Sequence, residues 1–158
     1  MLDLFPGHCI DTNAIIDLHR RMYPRDVFPS LWENLENLVS KGDLISPKEV
    51  MKELEQRDDA ILRWAKANKA MFQDLDGEQL EQVKRILKDF PKLIDPNKIT
   101  PAADPFVVSL ASSKGWTVIT SEKFGSPGGP PKIPDVCKKF GVNCVSLLDF
   151  FREKKWKF

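Results

Sequence analysis

Hydrophobic positions along the chain follow two spacings, one typical of short buried strands and one typical of amphipathic helices. Leu31, Leu35 and Leu38 recur at helical spacing and predict a helix over 29–40. The run Trp-Thr-Val-Ile-Thr at 116–120 is rich in β-branched residues and is the clearest strand. Three further strands are predicted, at 8–10, 43–46 and 142–145.

Helical patterns recur between these strands. Helices are predicted at 13–18, 29–40, 47–54, 61–72, 80–90, 104–114, 136–140 and 146–156. Pro47 opens one of them, Gly77 separates two, and Pro91 ends another. The stretches 96–101 and 125–131 are predicted to be loops because prolines bound the first and glycines and prolines fill the second.

The order of these elements predicts the fold class. Strands that are separated by helices pair in parallel and form a sheet that is covered on both faces. We therefore expect one α/β domain over 1–158, a three-layer α/β/α sandwich with a central, mainly parallel sheet. The sequence contains no internal repeat and no domain boundary.

The composition fits a globular domain. Of the 158 residues, 42% are hydrophobic and 30% are charged, which excludes a disordered or low-complexity protein. No apolar run approaches the ~18 residues that cross a bilayer, so we expect no membrane association. The N-terminus carries Asp3 and lacks a basic region, so we expect no secretory signal and a cytoplasmic location.

Positive charge is concentrated near the C-terminus of a nearly neutral chain. The sequence has 24 Lys and Arg against 23 Asp and Glu, whereas seven basic residues face three acidic ones from Lys132 onward. The basic segment over about 146–158 is either a solvated terminal helix or a local phosphate-binding surface. Its Trp156 and Phe158 either stack on bases or pack against the domain or a partner.

The cysteines and histidines exclude several kinds of site. Three cysteines without a CxxC pair and two histidines do not provide a structural zinc site, a disulfide scaffold or a c-type haem site. Cys9 and Cys144 lie in apolar runs, which predicts that both are core residues.

Acidic residues lie where the strands end, at the edge of an open parallel sheet that binds ligands. Asp11 follows the first strand, Glu122 follows the strand at 116–120, and Asp104 opens the helix that leads into that strand. The helix after the second strand carries Glu49 and Glu53 one turn apart. Four elements therefore direct carboxylates to one edge, without a serine–histidine or cysteine–histidine pair.

Each acid also has a structural interpretation. Asp11 and Asp104 precede helices, where Asp is a favoured N-cap. Glu53 suits a solvated helix position, and Glu122 suits the first turn of a helix. Capping does not require acids from four separate elements at one edge, so their conjunction favours a functional site.

Carboxylates that lie close together need a cation. Two such charges repel by ~4 kcal/mol at an effective dielectric near 20, so they stay ionised together only when a cation neutralises them. Oxygen ligands favour Mg²⁺ or Mn²⁺ over zinc. Such an ion polarises a phosphoryl oxygen and lowers the pKa of a bound water, so the chemistry indicated is phosphodiester hydrolysis.

Four segments, each containing one of these acids, follow one another along the chain. They are Ile10-Asp11-Thr12-Asn13, Val50-Met51-Lys52-Glu53-Leu54, Ala-Asp-Pro-Phe-Val-Val-Ser-Leu-Ala at 103–111, and Val118-Ile119-Thr120-Ser121-Glu122. In this order they resemble the PIN-domain nucleases and are similar to the VapC-type ribonuclease toxins of toxin–antitoxin pairs. The likeness extends from about Cys9 to Val145. Its most specific element is the Asp-Thr-Asn that follows a buried strand.

The resemblance implies a role for each acid. The catalytic set would be Asp11, Glu53, Asp104 and Glu122, with Glu49 as the alternative helix acid. Asp11, Asp104 and Glu122 would hold Mg²⁺ or Mn²⁺, and Glu53 would complete the site and help position the attacking water.

The fourth motif departs from the family. The family usually has Thr-x-Asp, whereas this chain has Thr120-Ser121-Glu122, which lengthens the carboxylate arm. The resemblance also implies that Asn13 and Thr120 orient the carboxylates by hydrogen bonds.

The function expected is therefore a divalent-metal-dependent endoribonuclease that acts on RNA. The resemblance adds an antitoxin protein and a second copy of the chain as partners. Lys48, Lys52, Arg57 and Lys123 neighbour the acids and suit either phosphate contacts or solvated surface.

Two other functions stay open. One is a catalytically inactive PIN-like module that binds RNA or supports an assembly. The other is an aspartate-based phosphatase with Asp11 as nucleophile. Such phosphatases normally have a second Asp two residues later, where this chain has Asn13.

Overall fold

The computed structural model describes residues 6–57, 59–94 and 102–158. The loop predicted at 96–101 and the first five residues, on which the expectation about a secretory signal partly rests, lie outside them. Strands β1–β5 of the described residues span His8–Ile10, Leu44–Pro47, Phe72–Gln73, Thr117–Ile119 and Cys144–Val145. Helices α1–α8 span Thr12–Asp17, Pro29–Lys41, Lys48–Leu54, Asp59–Ala67, Gly77–Asp89, Asp104–Lys114, Ile133–Phe140 and Leu147–Glu153.

Three shorter helical turns connect these elements. A π-helical turn at Leu18–Met22 continues α1, and 3₁₀ turns lie at Lys69–Met71 and Pro91–Leu93. None of the described helices has the length and apolar character needed to cross a membrane.

The strands form one sheet in the order β3-β2-β1-β4-β5, and every described pair is parallel. At its centre, His8 of β1 lies opposite Leu44 of β2 and Thr117 of β4. With helices on both faces, this arrangement confirms the predicted three-layer α/β/α fold. The chain moves outward from β1 to β2 and β3 and then returns to place β4 on the other side of β1, so the strand order reverses between β1 and β4.

Successive side chains of β1 point to opposite faces, as expected for a strand. The Cys9 thiol donates to the carbonyl oxygen of Val107 in α6 at 3.7 Å. His8 faces α8, where its ring lies 4.7 Å from that of Phe150 and its Nε2 lies 2.9 Å from a Glu153 oxygen. The sheet is therefore held between α6 on one side and α8 on the other.

Helix α2 packs against the core through the hydrophobic side chains whose spacing predicts it. Leu31 and Leu35 are buried, as predicted, and the Trp32 indole between them donates to the carbonyl oxygen of Tyr23 at 2.8 Å. Each fully buried apolar side chain of this size contributes ~1.5–3 kcal/mol. The helix ends at Lys41 and is capped by Gly42, whose φ of 78° suits glycine because it has no Cβ.

One predicted helix is wrong at its end. The pattern of Ile61, Ala65 and Phe72 predicts a single helix, but α4 ends at Ala67 and Phe72 begins strand β3. Asn68 closes the helix, since its side chain donates to the carbonyl oxygen of Trp64 at 3.0 Å. Phe72 is buried on the sheet instead of on the helix.

Other boundaries differ by a few residues. Pro47 ends β2 and precedes α3, α7 begins at Ile133 instead of 136, and α8 ends at Glu153 instead of 156. Beyond α8, the half-buried Trp156 lies 5.4 Å from the ring of Phe150, so it packs against the domain.

The cysteines behave largely as small apolar residues. Cys9 is fully buried, whereas Cys144 is half-buried and packs against the core.

Candidate active site

A cleft of about 650 Å³ opens at the carboxyl ends of β1 and β4, where the strand order reverses. Ligands of doubly wound sheets bind at such a reversal. Its lining includes all four acids that the sequence singles out, Asp11, Glu53, Asp104 and Glu122. Glu49 lies in the first turn of α3 and is not among the described residues that line this cleft.

Asp11 is both the N-cap of α1 and part of the cleft lining. One of its oxygens accepts from the backbone N–H of Ala14 at 2.8 Å, and the other accepts from the Thr120 hydroxyl at 2.5 Å. Burial raises the pKa of Asp11 well above its ordinary range, the negative charges of Asp104 and Glu122 add to this, and the two hydrogen bonds oppose it. Ionised Asp11 is therefore unfavourable here until a positive charge compensates it.

Glu122 is fixed at both of its carboxylate oxygens. The Asn13 amide donates to Oε1 at 2.9 Å, and the backbone N–H of Ile133 donates to Oε2 at 2.9 Å. Ile133 is the first residue of α7, and a helix N-terminus favours negative charge. The longer arm of this glutamate thus spans from the end of β4 to the start of α7.

The Thr120 hydroxyl connects two of the acids. It donates to Asp11 and accepts from the backbone N–H of Glu122 at 3.0 Å. Thr120 itself is buried at the end of β4. One hydroxyl therefore sets the orientation of the Asp11 carboxylate and the start of the Glu122 segment together.

Glu53 joins three parts of the chain. Its Oε1 accepts from the Thr12 hydroxyl at 3.0 Å and from the backbone N–H of Ala103 at 3.2 Å. Asp104 is the half-buried first residue of α6, and Ala103 is the N-cap, so Asp104 is not the cap that its position suggests. Glu53 thus fixes the turn that delivers Asp104 to the cleft.

The donor set fits a hard divalent cation by chemistry. All four acids offer oxygen, the ligand that Mg²⁺ and Mn²⁺ prefer, and Asp11 lies in a negative potential that a cation would offset. Among the described residues, no group of three or more His, Cys, Asp and Glu is arranged to hold a metal ion directly. The oxygens of Asp11 and Glu122 are hydrogen-bonded to protein groups instead.

Among the described residues, three cations share the cleft with the acids: Arg57, Lys92 and Lys132. Of the four cations suggested by the sequence, only Arg57 lies there. Lys48 pairs with Asp74 at 3.0 Å, Lys52 lines a different pocket, and Lys123 lines an adjoining groove. Sequence reasoning missed Lys92 and Lys132 as cleft residues because only the folded chain brings their segments to the acids.

The loop at 125–131 is irregular, as predicted, and supplies one wall of the cleft through Pro130 and Pro131. An Asp135 oxygen accepts from the backbone N–H groups of Gly125 at 3.0 Å and Lys132 at 2.7 Å. A Cβ at Gly125 would lie 2.7 Å from the carbonyl oxygen of Pro130, so this position requires glycine. Asp135 thus fastens both ends of the loop to α7.

The fold and the cleft define a doubly wound α/β domain with an acidic site at its strand-order reversal. Residues 8–158 match the family model described as a domain of unknown function, DUF4411, so the chain belongs to this family. Among curated proteins, none matches the chain.

Proposed function

We propose that this protein is a divalent-metal-dependent endoribonuclease of the PIN-like type. The observation that carries the proposal is that four carboxylates from four separate elements line one cleft at the carboxyl edge of the sheet. The resemblance to PIN-domain nucleases predicts the same four positions. Arg57, Lys92 and Lys132 support an anionic substrate, since they place positive charge on the same cleft.

Each residue has a task in this proposal. Asp11, Asp104 and Glu122 hold Mg²⁺ or Mn²⁺, which when bound polarises a phosphoryl oxygen and lowers the pKa of water. Thr120 orients Asp11, and Glu53 positions the attacking water. The three cations bind the phosphates on either side of the scissile bond.

Cleavage of a panel of structured and single-stranded RNAs tests the proposal. The panel is incubated with Mg²⁺, Mn²⁺ or EDTA and with the wild type, Asp11→Asn or Asp104→Asn from matched preparations. We expect metal-dependent cleavage by the wild type and a loss of at least ~100-fold in both variants, because each removes a charge that holds the ion. Glu81→Gln, on the exposed surface of α5, is the control and keeps wild-type activity.

Two other outcomes of this assay would contradict the nuclease proposal. Cleavage that persists in both variants or in EDTA indicates a contaminating ribonuclease. RNA binding without metal-dependent cleavage supports the inactive PIN-like module. That alternative draws on the described hydrogen bonds, which engage both oxygens of Asp11 and of Glu122 within the protein.

The resemblance to VapC-type toxins extends the proposal to the binding partners of the protein and to its location in the cell. We infer a cytoplasmic protein that an antitoxin inhibits and that forms homodimers. Light scattering on the isolated chain tests the homodimer. Co-expression with the product of an adjacent gene, followed by co-purification and the cleavage assay, tests the antitoxin.

A further inference from the structure

A second groove, of about 810 Å³, adjoins the acidic cleft. Glu122 lines both, so its side chain forms the wall between them. The groove is built largely from the residues that follow β4 and from β5 and its flanking residues, such as Phe124 and Cys144. It therefore opens at the same edge of the sheet as the acids.

The groove exposes apolar side chains that a folded protein usually buries. Phe124 is 63% exposed, Met22 is 51% exposed and Leu148 is 46% exposed, and all three line it. Exposed apolar side chains that cluster on one surface mark a binding site more often than the same residues scattered singly. Among the described lining residues Phe124 is the aromatic one, and it lies two residues after Glu122.

Positive charge flanks the groove. Lys123 and Lys138 line it, and neither forms an ion pair with a described acidic residue. Of the acidic residues that the structure describes, Glu122 and Asp17 line the groove, and Asp17 pairs with Arg21 at 3.7 Å. Together with Lys132 in the acidic cleft, these lysines place cations on both sides of Glu122.

We propose that this groove binds an unpaired nucleobase of single-stranded RNA, with Phe124 as the stacking surface and Lys123 and Lys138 on the flanking phosphates. The inference rests on the proposed nuclease function, since a phosphate in the acidic cleft places the neighbouring nucleotide beside Glu122. A groove that is continuous with the acids and bordered by lysines without an ion pair among the described residues suits nucleic acid better than a purely apolar partner. A duplex keeps its bases stacked inside and offers none to Phe124.

Cys144 provides a reporter inside the groove. It is half-buried and lines the groove, whereas Cys9 and Cys137 are buried. A hydrogen bond with Cys137 lowers the pKa of the Cys144 thiol, which favours the reactive thiolate. An occupied groove should therefore slow alkylation at Cys144 without any need for catalysis.

The experiment follows alkylation of Cys144 by N-ethylmaleimide in the chain of residues 1–158, with mass spectrometry of the labelled peptide. Three probes are added in Mg²⁺: a single-stranded RNA of mixed sequence with phosphorothioate linkages, an abasic ribose-phosphate oligomer of equal length, and an RNA duplex. We expect the single strand to slow labelling about tenfold. The abasic oligomer and the duplex should change the rate less than about twofold.

Substitutions at Phe124 separate stacking from general apolar contact. Base–aromatic stacking of ~1–3 kcal/mol corresponds to about 5- to 150-fold in affinity. Phe124→Leu should therefore weaken single-strand binding about tenfold and abolish the protection, while Phe124→Tyr preserves both. Leu80→Ala, at another exposed apolar position on α5, is the control and changes neither.

Three results would overturn the inference. The first is equal protection by the abasic oligomer, which would assign the groove to phosphates alone. The second is RNA binding, measured by fluorescence anisotropy, that leaves the Cys144 rate unchanged. The third is labelling that slows as the protein concentration rises without RNA, which would make the groove an interface between copies.

The cleavage assay keeps the two proposals separate. Metal-dependent cleavage without Cys144 protection supports the nuclease and rejects the base-binding groove. Protection without cleavage supports the groove and rejects catalysis. A chain that binds none of the RNAs overturns both.

Discussion

At Asp11, the stability of the fold and the proposed metal binding make opposite demands: a buried negative charge destabilises the folded state, whereas the metal site requires that charge. Asp11 caps α1 with one oxygen, yet it is only 2% exposed and faces the charges of two other acids. An asparagine would keep the capping oxygen and carry no charge. The aspartate therefore has a cost to stability that the proposed metal site explains.

This conflict predicts that Asp11→Asn stabilises the protein and inactivates it. The folded-state pKa of Asp11 lies above its ordinary value of 3.8, so between these two values the folded state holds a proton that the unfolded state has lost. The wild type therefore loses stability as the pH rises through that interval. We expect the Tm of Asp11→Asn to exceed that of the wild type by a margin that grows from pH 4 to pH 8.

Thermal unfolding across this pH range measures the effect. With Mg²⁺ added at pH 8, the Tm of the wild type should rise and that of Asp11→Asn should not. A difference in Tm that is independent of pH would contradict the assignment of the stability cost to the Asp11 charge.

Thr120→Val tests the hydroxyl that connects Asp11 with Glu122. The valine keeps the shape but removes the donor to Asp11, so the pKa of Asp11 should rise further and its ionised fraction at a given pH should fall. Hydrogen bonds to charged groups contribute ~1.5–3 kcal/mol, so we expect RNA cleavage to fall about 10- to 100-fold and its pH profile to shift to higher pH. Thr117→Val, in strand β4 three residues before Thr120, is the matched control and should leave the pH profile in place.

At the scale of single residues, the sequence predicts where the acids lie but not which groups donate hydrogen bonds to them. The positions of Asp11, Asp104 and Glu122 after strands or at helix starts placed them at one edge of the sheet. The N–H of Ile133 and the hydroxyl of Thr12 are contacts that only the folded chain creates. Local patterns carry no information about groups that meet across such distances.

At the scale of elements, the hydrophobic pattern predicts helices and strands that are long enough to repeat their buried positions several times. The spacing of its leucines predicts helix α2. The pattern does not predict the two-residue strand β3, because Phe72 also fits a helical spacing. Asn68 is the local feature that ends α4, and the hydrophobic pattern alone does not indicate it. A short edge strand is defined by its neighbour, here Ser46 opposite Phe72, more than by its own residues.

The loop that forms a wall of the cleft depends on one side chain of α7. Asp135→Ala removes the acceptor for the N–H groups of Gly125 and Lys132, so we expect a loss of ~1–2 kcal/mol in the free energy of unfolding. Limited proteolysis should show faster cutting within 125–132, and RNA cleavage should fall because Lys132 is no longer held at the cleft. Asp135→Asn keeps an acceptor oxygen and should lie close to the wild type. Equal behaviour of the two variants would rule out this anchoring.

At the scale of the whole molecule, a nearly neutral chain gathers cations around an acidic cleft. The Lys92→Gln and Lys132→Gln double variant should bind single-stranded RNA more weakly and with a shallower salt dependence. Each phosphate contact contributes about 0.7 to the slope of log affinity against log salt for single strands, so the slope should fall by about 1.4. Affinity for Mn²⁺ should not fall, since neither lysine is a proposed ligand.

Fluorescence anisotropy over a salt series measures the slope. The control variant, Lys84→Gln with Lys88→Gln, removes the same charge from the exposed face of α5 and should keep the wild-type slope. A slope that falls equally in both variants would indicate a general charge effect in place of specific contacts at the cleft.

The contact between His8 and Glu153 joins positions 145 residues apart. During translation β1 is synthesised well before α8, which covers one face of that strand. Glu122 is also synthesised well after β1, since it follows Asn13 by 109 residues. A nascent chain therefore holds Asp11 without the partners that complete the cleft until Glu122 and Ile133 have been synthesised, and the acids come together only after that point.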